Sequence, residues 1–242
     1  GLCGNANGSL NPNQILPQNS SYGIDLTPSM GSSNTSLLDN GPVYSFGILL
    51  NGIEVDPVAA EPWPHTKPVT SSHDWDWNLE ATMVDIGLDC NNAHVQPTGK
   101  YHYHGVPTLY LESLNTSETS MLLVGWAADG YPTYYKYGHT IAEDIESPIQ
   151  LLSSSYQLKS GERPGDGDSA PCGKYTGAYT ADFEYVAGLG DLDECNGRQG
   201  MTPEFPNGTY YYVITSALYE TGDLFHAANV GLSGKSILKK ST

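Results

Sequence analysis

His94-Val95-Gln96-Pro97-Thr98-Gly99-Lys100-Tyr101-His102-Tyr103-His104 is the most informative stretch of the chain. Its last four residues alternate with the period of a β-strand, so His102 and His104 share one face and Tyr101 and Tyr103 the other. Two imidazoles on one strand face can hold one metal ion, or place an acid beside a base. Seven histidines occur in 242 residues, and three of them fall inside these eleven positions. Whether His94 joins the pair is a question of hairpin register. An odd loop such as Pro97-Thr98-Gly99 pairs His94 with His102 and turns it to the same face, whereas a loop of two or four pairs it with Tyr103 and turns it away.

Three neutral imidazoles suit Zn²⁺ or Cu²⁺, and Cu²⁺ has the higher intrinsic affinity. Asp129, Glu194 and His226 are the candidate fourth ligands or supporting acceptors. The competing readings are histidines bonded to carboxylates in a polar core, and direct acid–base catalysis. His65 and His73 lie in an irregular aromatic segment, and His139 is expected at the surface.

Around this stretch the composition is that of a turn-rich β protein. Hydrophobic residues make up 38 %, with 27 glycines, 16 prolines and 17 tyrosines. The expected fold is mainly β: a single compact β-rich domain, sandwich-like or of irregular sheets, with long loops and an extended N-terminal arm. The boundaries are a Gly/Asn/Ser-rich arm over 1–41, a β-rich domain over 42–230, and a C-terminal basic tail or edge strand over 231–242. The arm is expected to lie on its own domain or on a neighbouring molecule.

The formal net charge is −17 and the pI about 4.5, so the basic surface that duplex binding requires is absent and no nucleic-acid partner is expected. No apolar run reaches the ~20 residues of a membrane span. Cys3, Cys90, Cys172 and Cys195 are even in number and contain no Cys-x-x-Cys, which favours disulfides over a thiolate metal site. Three pairings exist, of which Cys172–Cys195 with Cys3–Cys90 is preferred on sequence proximity. Sequons at Asn7, Asn19, Asn34, Asn115 and Asn207 permit glycosylation in a secreted eukaryotic protein. Cysteines and sequons together predict an exported protein, extracellular or periplasmic; the start at Gly1 fits a removed signal or a trimmed chain.

Along the chain, residues 43–50 read as a strand, Asn51-Gly52 as a type I′ turn, and Ile53-Glu54-Val55 as the return. Leu79 to Ile86 reads as a strand. Met121 to Trp126 and Tyr131 to Tyr137 form a second pair, and Thr209 to Thr215 is an aromatic strand. Ala181 to Val186 reads as a helical turn. Trp75-Asp76-Trp77, if extended, would put both rings on one side, to meet a sugar or to pack in the core.

Five segments together resemble the YHYH-domain proteins. They are Phe46-Gly-Ile-Leu-Leu-Asn-Gly-Ile-Glu-Val, His94 to Pro107, Gly125-Trp-Ala-Ala-Asp-Gly-Tyr-Pro-Thr-Tyr, Gly190-Asp-Leu-Asp-Glu-Cys-Asn-Gly-Arg and Pro206-Asn-Gly-Thr-Tyr-Tyr-Tyr-Val-Ile-Thr. The resemblance runs from about residue 43 to 219. It implies an exported protein of a family in which some members are associated with copper. One departure stands out: the later aromatic strand, which often carries histidine in such proteins, reads Tyr210-Tyr211-Tyr212 here. A site drawing ligands from both strands would lack half its donors.

Asp191 and Asp193 crowd one turn with Glu194 and Asn196 and could hold Ca²⁺, although the spacing is not an EF-hand and a side-chain-to-backbone turn explains it as well. Arg198 could pair with Asp191 or Asp193. No Gly-x-Ser-x-Gly, His-Glu-x-x-His or dinucleotide motif occurs, and Gly234-Lys235-Ser236 fails as a phosphate loop because Asn229 replaces the first glycine. The leading reading is an extracytoplasmic copper- or zinc-binding protein with His102, His104 and His94 as ligands, handling metal rather than turning over a substrate. The alternatives are a subunit of an extracellular filament or matrix built by arm or strand exchange, and a metal-dependent enzyme.

Overall fold

The computed structural model describes residues 10–38, 41, 45–114, 117–215 and the backbone of 237–239. The protein is mainly β, with one large mixed sheet, smaller two-stranded sheets and no barrel. In chain order the strands are β1 (Asn34–Ser36), β2 (Gly47–Leu49), β3 (Glu54–Val55), β4 (Ala93–Val95), β5 (Tyr101–Tyr103), β6 (Leu123–Ala127), β7 (Pro132–Tyr135), β8 (Tyr137–His139), β9 (Ile149–Leu151), β10 (Tyr156–Leu158), β11 (Phe183–Tyr185), β12 (Gly197–Gly200), β13 (Thr209–Ile214) and β14 (Ile237–Lys239). A six-residue helix, α1 (Thr108–Ser113), follows the histidine strand.

The large sheet has eight strands in the order β12-β13-β7-β6-β2-β3-β5-β4. The β13–β7 and β3–β5 pairs are parallel, and the other pairs in this sheet are antiparallel. Its core face is built from Leu49, Val55, Tyr103, Val124, Tyr210, Tyr212 and Ile214, all buried. Phe46 meets Tyr212 edge-on, with ring centroids 5.1 Å apart.

Three hairpins of this sheet turn by one device. In each, a carbonyl accepts from the N–H three residues on, and the same residue's N–H donates to the carbonyl four residues on. The bonds are Gly52 to Leu49 and Leu49 to Ile53, Gly99 to Gln96 and Gln96 to Lys100, and Gly130 to Ala127 and Ala127 to Tyr131, all between 2.8 and 3.0 Å. Each three-residue loop ends on a glycine at positive φ, +81° at Gly52, +84° at Gly99 and +92° at Gly130. This is a type I turn closed by a left-handed residue, a position that glycine fills without steric cost.

The expected type I′ turn at Asn51-Gly52 is therefore replaced by the loop Leu50-Asn51-Gly52. Asn51 does not take the positive φ that type I′ needs. Its side chain is used instead, accepting from Ile53 N–H at 3.2 Å and donating to the Tyr103 hydroxyl at 2.8 Å.

The arm lies on its own domain. β4 is the outer strand of the sheet, and the arm occupies its free edge: Asn11 Oδ1 accepts from Val95 N–H at 3.1 Å and Asn13 Nδ2 donates to Val95 O at 2.8 Å. Leu16 N–H donates to Gly99 O at 2.9 Å. Asparagine side chains here stand in for the missing neighbour strand and blunt an edge that would otherwise pair with another chain. At the other end of the chain, β14 pairs antiparallel with β1, Thr35 opposite Leu238.

Other expectations are corrected. Leu79 to Ile86 is not a strand: Leu79 makes one bridge to Tyr179, and the chain then turns, Met83 N–H donating to Glu80 O at 3.0 Å. Trp75–Trp77 is a short 3-10 helix capped by Asp74, so its two tryptophans do not share a face. Ala181 to Val186 is split between a 3-10 turn (Thr180–Asp182) and β11, which pairs with β10. Cys172 and Cys195 form no disulfide. Cys195 is packed into the core, while Cys172 is exposed. Cys3 lies outside the described residues, and with it the pairing to Cys90.

A Cβ on Gly99 would stand 2.5 Å from Leu16 Cβ, in a backbone conformation that L-residues resist. Gly99→Ala is expected to lower unfolding stability by about 1–2 kcal/mol in denaturant titration. It should also raise proteolytic cleavage of the arm, and adding Leu16→Ala should restore only part of the loss. Unchanged stability and arm protection would refute this account of the loop.

Candidate metal centre

The three-residue loop sets the register Ala93–Tyr103, His94–His102 and Val95–Tyr101 across β4 and β5. His94 and His102 therefore face each other on one side of the sheet, and His104, two residues on, joins them. His104 N–H donates to Asn92 O at 2.7 Å, which extends the pairing past the end of β5. His102 Nε2 and His104 Nε2 are 3.0 Å apart, and His104 Nε2 and His94 Nε2 3.1 Å. The three ligand atoms lie within 4.8 Å of one another, and no other group of three His, Cys, Asp or Glu side chains converges so among the described residues. His102 and His104 are 2 % and 3 % exposed, and His94 is half-buried. The tyrosines of the motif face the other way, Tyr103 into the core and Tyr101 donating to Asp89 Oδ2 at 2.6 Å.

Burial depresses the basicity of all three rings. His102 is pushed down to about 4, His104 well below the ordinary histidine range and His94 in the same direction, with the neighbouring imidazoles adding to the effect at His102 and His104. At neutral pH the cluster is three uncharged rings with their Nε2 atoms directed at one another. His104 Nε2 takes part in both contacts, yet a neutral ring nitrogen offers either one N–H or one lone pair, so it cannot make a full hydrogen bond to both neighbours. Backbone contacts, with Lys100 at His102 and with Pro57 at His104, oppose the downward shift but leave the buried Nδ1 atoms without a well-formed hydrogen bond. Two nitrogens that each sit about 2.0–2.1 Å from one ion stand about 3 Å apart or slightly more. The donor set thus fits a dication that prefers imidazole, and fits Ca²⁺ poorly.

The parallel pairing of β3 with β5 brings two acids to the same face. Glu54 lies opposite His102, and the next pair, Val55 and Tyr103, is closed by Asp56 N–H donating to Tyr103 O at 2.8 Å. Glu54 accepts from Ser45 Oγ at 2.8 Å, from Tyr22 of the arm and from Lys100. Burial opposes its ionisation, but Lys100, Tyr22 and Ser45 hold it below the ordinary carboxylate range. Asp56 has less support: burial raises it to about 6, and its Oδ1 is buried with no hydrogen bond. Sequence reasoning passed over Tyr22, Glu54, Asp56 and Lys100. The alternation Glu54-Val55-Asp56 was a signal, but nothing local says that β3 runs parallel beside β5.

The remaining sequence candidates lie elsewhere. Asp129 closes the β6–β7 turn and accepts from the Tyr212 hydroxyl at 2.5 Å. Glu194 is exposed and accepts from the Asn34 amide. His226 lies outside the described residues. Asp191 accepts from Gln150 Nε2 and from Ser153 N–H and Oγ; Asp193 accepts from Cys195 N–H, Gly197 N–H and the Tyr210 hydroxyl. Both carboxylates thus serve local turns and strand contacts. Arg198 donates to the Tyr211 hydroxyl and to His139 O, each at 2.6 Å, rather than to either aspartate. His139 is buried, not superficial. Asn19 and Asn207 are exposed and Asn34 half-buried, while Asn7 and Asn115 are outside the described residues.

The sheet order also settles the tyrosines that replace histidine on β13. Four strands separate β13 from β5, roughly 24 Å at about 4.8 Å per step. Ligands there could not have reached the cluster, so Tyr210-Tyr211-Tyr212 removes nothing from it.

The rings make stability pH-dependent. An unfolded histidine protonates near 6.5 and folded His102 only near 4, so across that window the unfolded chain binds more protons and stability decreases as the pH is lowered. Asp56 acts in the opposite sense, since its folded carboxyl takes a proton near 6 rather than 3.8. Two deeply shifted imidazoles outweigh one carboxyl. The melting temperature of metal-free protein is expected to drop from pH 6.5 to 4, and Asp56→Asn should steepen the drop. A flat or rising profile would contradict this balance.

No curated protein and no solved structure gives a match. A model of the family described as YHYH protein matches residues 21–225, a span that contains the whole histidine cluster, and the chain accordingly belongs to the YHYH protein family.

Proposed function

We propose that the protein is an extracytoplasmic metal-binding protein that holds Cu²⁺ or Zn²⁺ on His94, His102 and His104. One observation carries this reading: three uncharged imidazoles present Nε2 to a common point at separations of 3.0 and 3.1 Å, two of them almost wholly buried. Placing unpaired polar atoms in such a spot is costly unless a ligand satisfies them. A bound dication would supply the positive charge that the three lone pairs lack. Metal handling is favoured over turnover because only His94 retains substantial exposure, which restricts the approach of a substrate.

Export is supported by the exposed sequons at Asn19 and Asn207. The assembly alternative loses its main motive, because the arm and β14 find partners within the chain.

Purified protein equilibrated with Cu²⁺ or Zn²⁺ and then desalted should retain about one ion per chain by elemental analysis. Each of His94→Ala, His102→Ala and His104→Ala should weaken affinity by more than about tenfold, since loss of a mere supporting partner already costs that much. Metal at about 100 times Kd should raise the unfolding free energy by about 2.7 kcal/mol. Wild-type protein that retains neither metal would refute the proposal, as would retention undiminished in the His102→Ala, His104→Ala double variant.

A further inference from the structure

His94 is the candidate ligand carried by β4, the outermost strand of the large sheet. β4 is three residues long and pairs with β5 on its inner side. On an antiparallel edge strand every second residue turns its N–H and C=O away from the sheet. In β4 these residues are Ala93 and Val95, which flank His94, and the outward groups of both are bonded. Asp89 holds the first: Ala93 N–H donates to Asp89 Oδ1 at 3.1 Å, and Ala93 O accepts from Asp89 N–H at 2.8 Å. The arm holds the second: Val95 N–H donates to Asn11 Oδ1 at 3.1 Å, and Val95 O accepts from Asn13 Nδ2 at 2.8 Å. Asn11 is 2 % exposed, so its amide is built into the edge rather than resting on it.

The arm's next contacts fall on the same hairpin and its neighbour. Leu16 N–H donates to Gly99 O at 2.9 Å and Gln18 Nε2 to Thr98 O at 3.3 Å, while the Tyr22 hydroxyl donates to Glu54, which lies opposite His102. Between Asn11 and Tyr22 the arm has no regular secondary structure, and most of its residues are exposed. A segment held by a few such bonds opens at lower cost than the sheet beneath it. Its departure is felt most at Val95, whose N–H and C=O lose their partners together.

We infer that the arm is a strap of the metal centre, with Asn11 and Asn13 as positioning residues that hold Val95, fix β4 and so set the His94 ring against His102 and His104. The inference rests on the metal-binding reading above. A dication on the three Nε2 atoms ties β4 to β5 through His94, and the arm ties down the same strand from its outer side. Each constraint removes freedom that the other would have to remove, so metal binding and arm docking strengthen one another. Linkage makes the effect reciprocal: the factor by which the docked arm tightens metal binding is the factor by which bound metal tightens the arm.

Both sides of this linkage are measurable on the full chain. Hydrogen exchange at the Leu16 amide of wild-type protein, followed by NMR, is expected to slow about fivefold or more on saturation with Zn²⁺, although Leu16 is no ligand. The Asn11→Ala, Asn13→Ala double variant should lose Zn²⁺ affinity by a similar factor in competition with a chromophoric chelator. Tyr134→Phe is the control for general destabilisation: it removes hydroxyl bonds to Thr202 and Glu204 on β7, four strands away from β4, and should leave Zn²⁺ affinity unchanged. Leu16 exchange that ignores bound Zn²⁺ would overturn the inference. So would a double variant that binds Zn²⁺ as tightly as wild type, or that loses no more affinity than Tyr134→Phe. Wild-type protein that binds no Zn²⁺ or Cu²⁺ fails at the earlier step, refuting the metal reading and this inference with it.

Discussion

Gln96 N–H donates to Lys100 O across the mouth of the Pro97-Thr98-Gly99 loop, and Gly99 N–H returns to Gln96 O. These two bonds count three residues into the turn, and that count turns His94 towards His102 and His104. One residue more or fewer would reverse every side chain of β4 relative to β5. The loop depends in turn on Gly99 at φ +84° and on Leu16, which lies against the space where a Cβ would be. The arm is thus part of the support of the histidine hairpin: it covers the free edge of β4 with Asn11 and Asn13, and closes on the turn with Leu16.

A second constraint works from the opposite side. β3 is two residues long and runs parallel to β5, which is uncommon for neighbours in a hairpin-rich sheet. Parallel alignment keeps Glu54 and Asp56 on the histidine face while Val55 enters the core with Tyr103. Each acid meets a different fate: Glu54 is held ionised by three donors, whereas Asp56 has none at Oδ1. The face that carries the imidazoles is therefore electrostatically unfinished. Buried groups in native proteins are mostly satisfied, and this face departs from that rule.

The candidate centre was partly legible in the residues. Tyr101 to His104 could only alternate if extended, so the shared face of His102 and His104 followed from the pattern alone. The place of His94 did not, because Pro97-Thr98-Gly99 permits an odd loop without excluding an even one. Asp129 and Glu194 were named for their residue type, yet each is engaged by a neighbour that lies far off in sequence, Tyr212 and Asn34. Glu54 was missed for the converse reason, its place opposite His102 depending entirely on which strand β3 adjoins.

By itself the sequence determined the β class, the division of the motif into a histidine face and a tyrosine face, and the glycines that allow tight loops. These are properties of adjacent residues: strand periodicity and backbone freedom are written within a few positions. The tertiary structure decided the parity of the histidine loop, the parallel placement of Glu54 beside His102, the docking of the arm along β4 and the separation of the β13 tyrosines from the cluster. Each of these depends on strand order, and strand order is selected by the packing of the whole sheet rather than by any local stretch of chain.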